Sequence, residues 1–172
     1  MIKNTRMLVM LALFVALEIV LVRFIGITTP ILRISFGFLP IALAGVLYGP
    51  LVAGFTGMIA NMVGVFMFPP ATGAPFWGFT VSAFLTGACY GFFLHNRGHS
   101  LKHIIAACAV HLGVIAMIIN TYWLTILTGA PFIALLPTRL PAQLVMMPVQ
   151  TIMIFTTWKY LARFLSTSQA TT

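Results

Sequence analysis

The sequence predicts an all-α fold, a bundle of six transmembrane helices with both termini on the cytoplasmic side. Three observations predict it. Of the 172 residues 61% are hydrophobic and only 6% are charged, and the mean hydropathy of +1.10 is one that a water-soluble domain of this size could not sustain without aggregating. Apolar stretches of bilayer-spanning length fill almost the whole chain as one integral membrane domain, 1–172, with no internal repeat and no low-complexity linker beyond the polar tail 166–172. The 9 Lys and Arg, set against 1 acidic residue, flank those stretches and do not form a stripe. They therefore read as topology signals rather than as a nucleic-acid surface.

A helix rises about 1.5 Å per residue and needs roughly 20 residues to cross the hydrocarbon core. Spans are expected at about 7–27, 34–48, 51–68, 76–94, 103–128 and 139–164. The first follows Lys3 and Arg6 and resembles a signal peptide, but it lacks a small-residue cleavage site and contains Glu18 and Arg23, so it is expected to be retained. The run from Ile34 to Phe68 would be roughly 50 Å long as a single helix. Gly49-Pro50 divides it, because Gly suits the position after a helix and Pro the first turn of the next. The fourth span begins near Phe76 and the fifth near His103, and the sixth is placed at Arg139, with Pro148 inside it as an expected kink. Lys3, Arg6, Arg97, Lys102, Lys159 and Arg163 then share one side, which the positive-inside rule makes cytoplasmic.

Arg23, Arg33 and Arg139 are left at the outer side. Arg23 either snorkels to head groups or faces a ligand. Arg33 and Arg139 break the topology rule, and a cation at a helix N-terminus is opposed by the helix dipole, so both are candidates for contacting an anionic ligand. In hydrocarbon a polar side chain needs a partner or a wet cavity. Trp77, Thr80, Asn120, Tyr122, Arg139 and Gln143 fall in the outer halves of their helices, while Glu18, Asn61 and Gln150 fall near the middle. A pocket open to the outside is expected, with cations at the rim and amides or a carboxylate at the floor. Glu18, which would cost about 2.5–3.5 kcal/mol if charged and alone at the midplane, is expected to be protonated, paired or ligand-bound. Asn61 and Gln150 serve either the pocket or helix pairing. Phe76, Trp77, Tyr122 and Trp123 are interfacial aromatics, one or two of which could stack on a ligand. Small residues spaced by four, Gly45 with Gly49 and Gly87 with Gly91, suit close helix packing. Ala12 and Ala16 form such a pair on the first span that could equally face another subunit.

Several chemistries are excluded. There is no GxxxxGK[ST] loop for ATP, and a single carboxylate cannot supply an acid–base pair, an Asp-oriented triad or a magnesium site. Cys89 and Cys108 lie inside apolar segments as small hydrophobes. His95, His99 and His103 have ligand spacing, but Asn96-Arg97-Gly98 interrupts the helix between them, so no metal or cofactor is expected.

Certain segments resemble the substrate-binding S components of energy-coupling factor (ECF) vitamin transporters, most closely the folate-specific branch. They are 33–40 (RISFGFLP), the glycine-rich run 49–64, 78–87 (GFTVSAFLTG) with Tyr90-Gly91, 120–124 (NTYWL), 136–139 (LPTR) and 147–150 (MPVQ). The likeness runs from about Met7 to Lys159. It implies a six-helix protein of the bacterial cell membrane that captures folate from outside and performs no chemistry. A membrane coupling subunit, contacted through Ala12 and Ala16, and two ATPases would supply the energy, and loops 28–33, 69–75 and 129–138 would cover the substrate. Substrate contacts are expected from Glu18, Arg23, Arg33, Asn61, Phe76, Trp77, Thr80, Asn120, Arg139 and Gln143. The arginines suit the two carboxylates of folate, the aromatics its flat middle, and Asn, Gln or Glu its pterin. Asn61 departs from the acid that many S components carry there. The alternatives are an S component for another vitamin such as pantothenate, a small membrane enzyme, or a stand-alone carrier.

Overall fold

The computed structural model describes residues 5–28, 33–68, 76–95 and 100–169, and of 27–28, 33–34 and 161–169 the backbone alone. Among the described residues the regular elements are helices and one short pair of strands. Helix α1 spans Thr5–Arg23, and strands β1 (Ile27–Thr28) and β2 (Arg33–Ile34) follow. Helices α2 (Phe38–Tyr48), α3 (Pro50–Met67) and α4 (Trp77–Leu94) come next. A continuous rod, Leu101–Thr128, is built from α5 (Leu101–Val110), a π-helical stretch (His111–Ile119) and α6 (Asn120–Thr128), and α7 (Phe132–Gln169) completes the bundle. The rods at Thr5–Arg23, Pro50–Met67, Trp77–Leu94, Leu101–Thr128 and Phe132–Tyr160 are long and apolar enough to cross a membrane.

The division at Gly49-Pro50 is present as expected. Gly49 has φ +86°, a conformation that costs a residue with a Cβ. Its N–H closes α2 onto the Gly45 carbonyl at 3.0 Å, while its own carbonyl accepts from Ala53 in the first turn of α3 at 3.1 Å. At eleven residues α2 reaches only about 16 Å. It needs no lipid-facing stripe, because Phe38 and Pro40 to Val46 are all buried by neighbouring helices. The main core joins Phe38, Ile41, Ala42 and Val46 of α2 to Tyr90 and Leu94 of α4, Ile104 and Cys108 of α5, and Met146 and Ile154 of α7. Glycines let α4 approach α2 and α3 backbone to backbone. A Cβ on Gly45 would lie 2.7 Å from the Gly91 nitrogen, and one on Gly57 would lie 2.7 Å from the Ala83 carbonyl oxygen. Outward faces carry Leu13, Phe55, Phe92, Ile118 and Ile152, an apolar surface suited to lipid.

Several boundaries differ from the sequence reading. The first helix ends at Arg23 and the second begins at Phe38, because the chain between pairs Thr28 with Arg33 and Ile27 with Ile34 in antiparallel strands. The fifth rod begins at Leu101, two residues before His103. The sixth begins at Phe132 rather than Arg139, so 132–138 is helix rather than covering loop, and Arg139 lies two turns inside it instead of at its N-terminus. The helix runs through Pro137, Pro141 and Pro148. These three prolines are all exposed and, at spacings of four and seven, share the outer face, whereas Leu135, Arg139, Met146, Gln150 and Ile154 on the opposite face are buried. Each proline removes one backbone bond, and the remaining ladder carries the helix on.

Candidate functional site

Back-and-forth topology brings the C-terminal ends of α1, α3 and α6 and the N-terminal ends of α4 and α7 to one end of the bundle. Ring contacts stitch that end together, Phe24 against Phe68 with centroids 5.6 Å apart and Phe76 against Trp123 at 5.7 Å. Most of the polar side chains expected to meet a ligand lie there.

On the α1–α3–α4 side, Glu18 is buried with its carboxylate against Gly37, where a Cβ would fall 3.3 Å from Oε1. The guanidinium of Arg23 covers Gly64, where a Cβ would fall 3.6 Å from Nε. Thr80 Oγ1 donates to Asn61 Oδ1 at 3.2 Å, joining α4 to α3. Beside that bond Met62, Val65, Phe66, Phe76, Trp77 and Thr80 line an open cleft, and Trp77 is 63% exposed.

On the α6–α7 side, Arg139 is only 8% exposed and its Nη1 donates to Thr121 Oγ1 at 2.9 Å. The buried Nε of Arg139 and the buried Oδ1 of Asn120 find no hydrogen-bond partner among the described residues. Gln143 follows Arg139 by one turn on the same helix. Trp123 Nε1 donates to Ser82 Oγ at 3.1 Å, which fixes its ring across the α4–α6 boundary against Phe76. Gly78 makes room for both rings, since a Cβ there would meet Phe76 and lie 2.6 Å from Trp123 Cδ2.

Asn61, Thr80, Phe76 and Trp77 therefore share one neighbourhood, Asn120 and Arg139 share another, and the Phe76–Trp123 contact bridges them. Glu18 and Arg23 reach the same end from α1. Arg33 is placed by its backbone in β2, while its side chain, like 29–32 and 69–75 of the proposed covering loops, lies outside the described residues. Thr121, Ser82 and the fixing of Trp123 were not legible in the sequence. Thr121 and Ser82 are ordinary small residues in apolar helices, and only the crossing of the helices pairs them with Arg139 and Trp123. Ala12 and Ala16 are exposed on α1, beside the exposed Leu13 and Leu17.

A second polar group lies in the core. The Tyr90 hydroxyl is 2.8 Å from His111 Nδ1 and donates to Gln150 Oε1 at 3.0 Å, and His111 Nδ1 is 3.3 Å from the same Gln150 oxygen. One hydroxyl hydrogen cannot serve both neighbours, so the consistent assignment makes His111 Nδ1–H a donor and Gln150 the acceptor.

A helical bundle with apolar outer faces, polar groups gathered at one end and a buried guanidinium lacking a full set of partners has the anatomy of a substrate-capturing membrane subunit. The family model "ECF transporter, substrate-specific component" matches residues 6–157. The chain belongs to that family of transport components and is not an enzyme. It is 40% identical over 161 residues to "Folate transporter FolT" of Clostridium novyi (strain NT), covering 94% of this chain and 92% of the relative. It is 30% identical over 154 residues to a protein of the same name from Leuconostoc mesenteroides subsp. mesenteroides, covering 86% and 81%. A solved structure, "Crystal structure of FolT bound with folic acid", superposes with a TM-score of 0.83 at 32% identity, covering 88% of this chain and 92% of the other.

Proposed function

We propose that this protein is the folate-binding S component of an ATP-driven ECF transporter in a bacterial cell membrane, capturing folate at the polar end and working with a coupling subunit and two ATPases. The observation that carries this reading is the likeness, over 88% of this chain, to a structure with folic acid bound. The polar end suits the ligand. Arg23, Arg33 and Arg139 would meet carboxylates, Phe76 and Trp77 would lie along the aromatic middle, and Glu18, Asn61, Thr80, Asn120 and Gln143 would read donors and acceptors. The charge distribution supports placing that end outside, because the exposed cations Arg6, Lys102 and Lys159 lie at the opposite end with the N-terminus. The flat exposed face at Ala12 and Ala16 suits close approach by the coupling subunit.

Calorimetry of the purified protein with folic acid and pantothenate tests the reading. Tight binding of folic acid with no heat from pantothenate is expected, and the reverse result would replace folate by another vitamin. Ala16→Leu should leave folic acid binding intact and abolish uptake by cells expressing the whole transporter.

A further inference from the structure

Arg139 holds a buried charge with one visible anchor. Its Nη1 donates to Thr121 Oγ1 at 2.9 Å, and Thr121 is fully buried. Thr121 has only two favoured χ1 rotamers in a helix, and its complete burial limits exchange between them. A guanidinium offers its donors in one rigid plane, and two parallel N–H pairs can grip a carboxylate: the Nη1/Nη2 end, or the Nε/Nη2 edge. The hydroxyl engages Nη1. The buried Nε, without a partner among the described residues, belongs to the other edge. Leaving such a donor unpaired is costly, and a ligand acceptor meeting it would remove that cost.

We infer that Thr121 is a positioning residue which, by taking Nη1, turns the Nε/Nη2 edge of Arg139 toward the ligand to receive one of its carboxylates. This rests on the folate reading and names the atoms within it. Thr121 acts through Arg139 rather than by touching the ligand.

Calorimetry with the full chain in detergent separates the two ideas. Wild-type binding of folic acid tests the reading itself, and the variants test Thr121. Thr121→Val keeps shape and removes the acceptor, and should weaken folic acid binding about tenfold, as the loss of one charge-assisted bond implies. Thr121→Ser restores the acceptor and should recover affinity to within a few-fold. In an Arg139→Gln background, Thr121→Val should cost nothing more. Folic acid with both glutamate carboxylates esterified should bind wild type and Thr121→Val equally weakly. If Thr121→Val does not fold, Thr121→Ala carries the same expectations. Wild-type binding with no loss in Thr121→Val, full additivity with Arg139→Gln, or an undiminished Thr121→Val penalty against the diester would overturn the inference and leave the folate reading standing.

Discussion

Two buried polar groups in this bundle differ in one respect. Tyr90, His111 and Gln150 satisfy one another across α4, the π-helical stretch and α7. Arg139 and Asn120, on α7 and α6, each keep a buried polar atom without a partner among the described residues. In a low-dielectric interior a satisfied network stabilises the fold, whereas an unsatisfied one costs free energy in the same place. The first group ties helices together, and on the proposed function the unpartnered atoms of the second, which lie at the polar end, are met by the ligand; the buried His103 Nδ1 and Trp158 Nε1 also lack partners among the described residues but lie away from that end.

The sharpest way to break that contrast is Arg139→Gln. It should weaken folic acid binding roughly 100-fold, while thermal unfolding of the ligand-free protein stays unchanged or moves up, since a buried charge is removed. A large fall in the unfolding midpoint would place Arg139 with the structural group. Asn120→Ala should follow with a loss of about tenfold in affinity. Tyr90→Phe addresses the other group. It should lower unfolding stability by about 1–3 kcal/mol, because His111 and Gln150 each lose a neighbour, and calorimetry should find affinity unaltered. The double variant Tyr90→Phe with Gln150→Leu should cost less than the sum of the single changes, because no half-satisfied pair remains. The smallest effect is expected for Thr80→Val, which breaks the part-buried bond to Asn61 and should change affinity only about two- to fivefold.

Much of this was legible in the sequence because bilayer physics is severe. Span length, the Gly49-Pro50 division and the four-residue glycine spacings each follow from rules with few exceptions in lipid. The start of α7 lies ahead of Pro137, a residue type that favours helix ends but sits here on an outer face where the lost bond is tolerated. The pairing of 27–28 with 33–34 was hidden because two strand residues on each side carry almost no periodic signal. The π-helical stretch was likewise invisible. It widens the helix so that the Asn120 N–H reaches the Ile115 carbonyl five residues back, and nothing in HLGVIAMII distinguishes it from an ordinary apolar span. At the candidate site, residue types with a strong prior were singled out from the sequence, Arg139 and Asn120 among them. Their small partners were not, because a threonine or serine gains its role only from the side chain packed against it.

The three tryptophans divide between the two ends of the bundle. Trp77 stands exposed at the cleft, Trp123 is held by Ser82 against Phe76, and Trp158 packs on the core far along α7. The molecule thus contains its own optical gauge: emission from the first two indoles should dim as a flat ligand settles beside them, while the third reports a constant background against which occupancy can be read without any label.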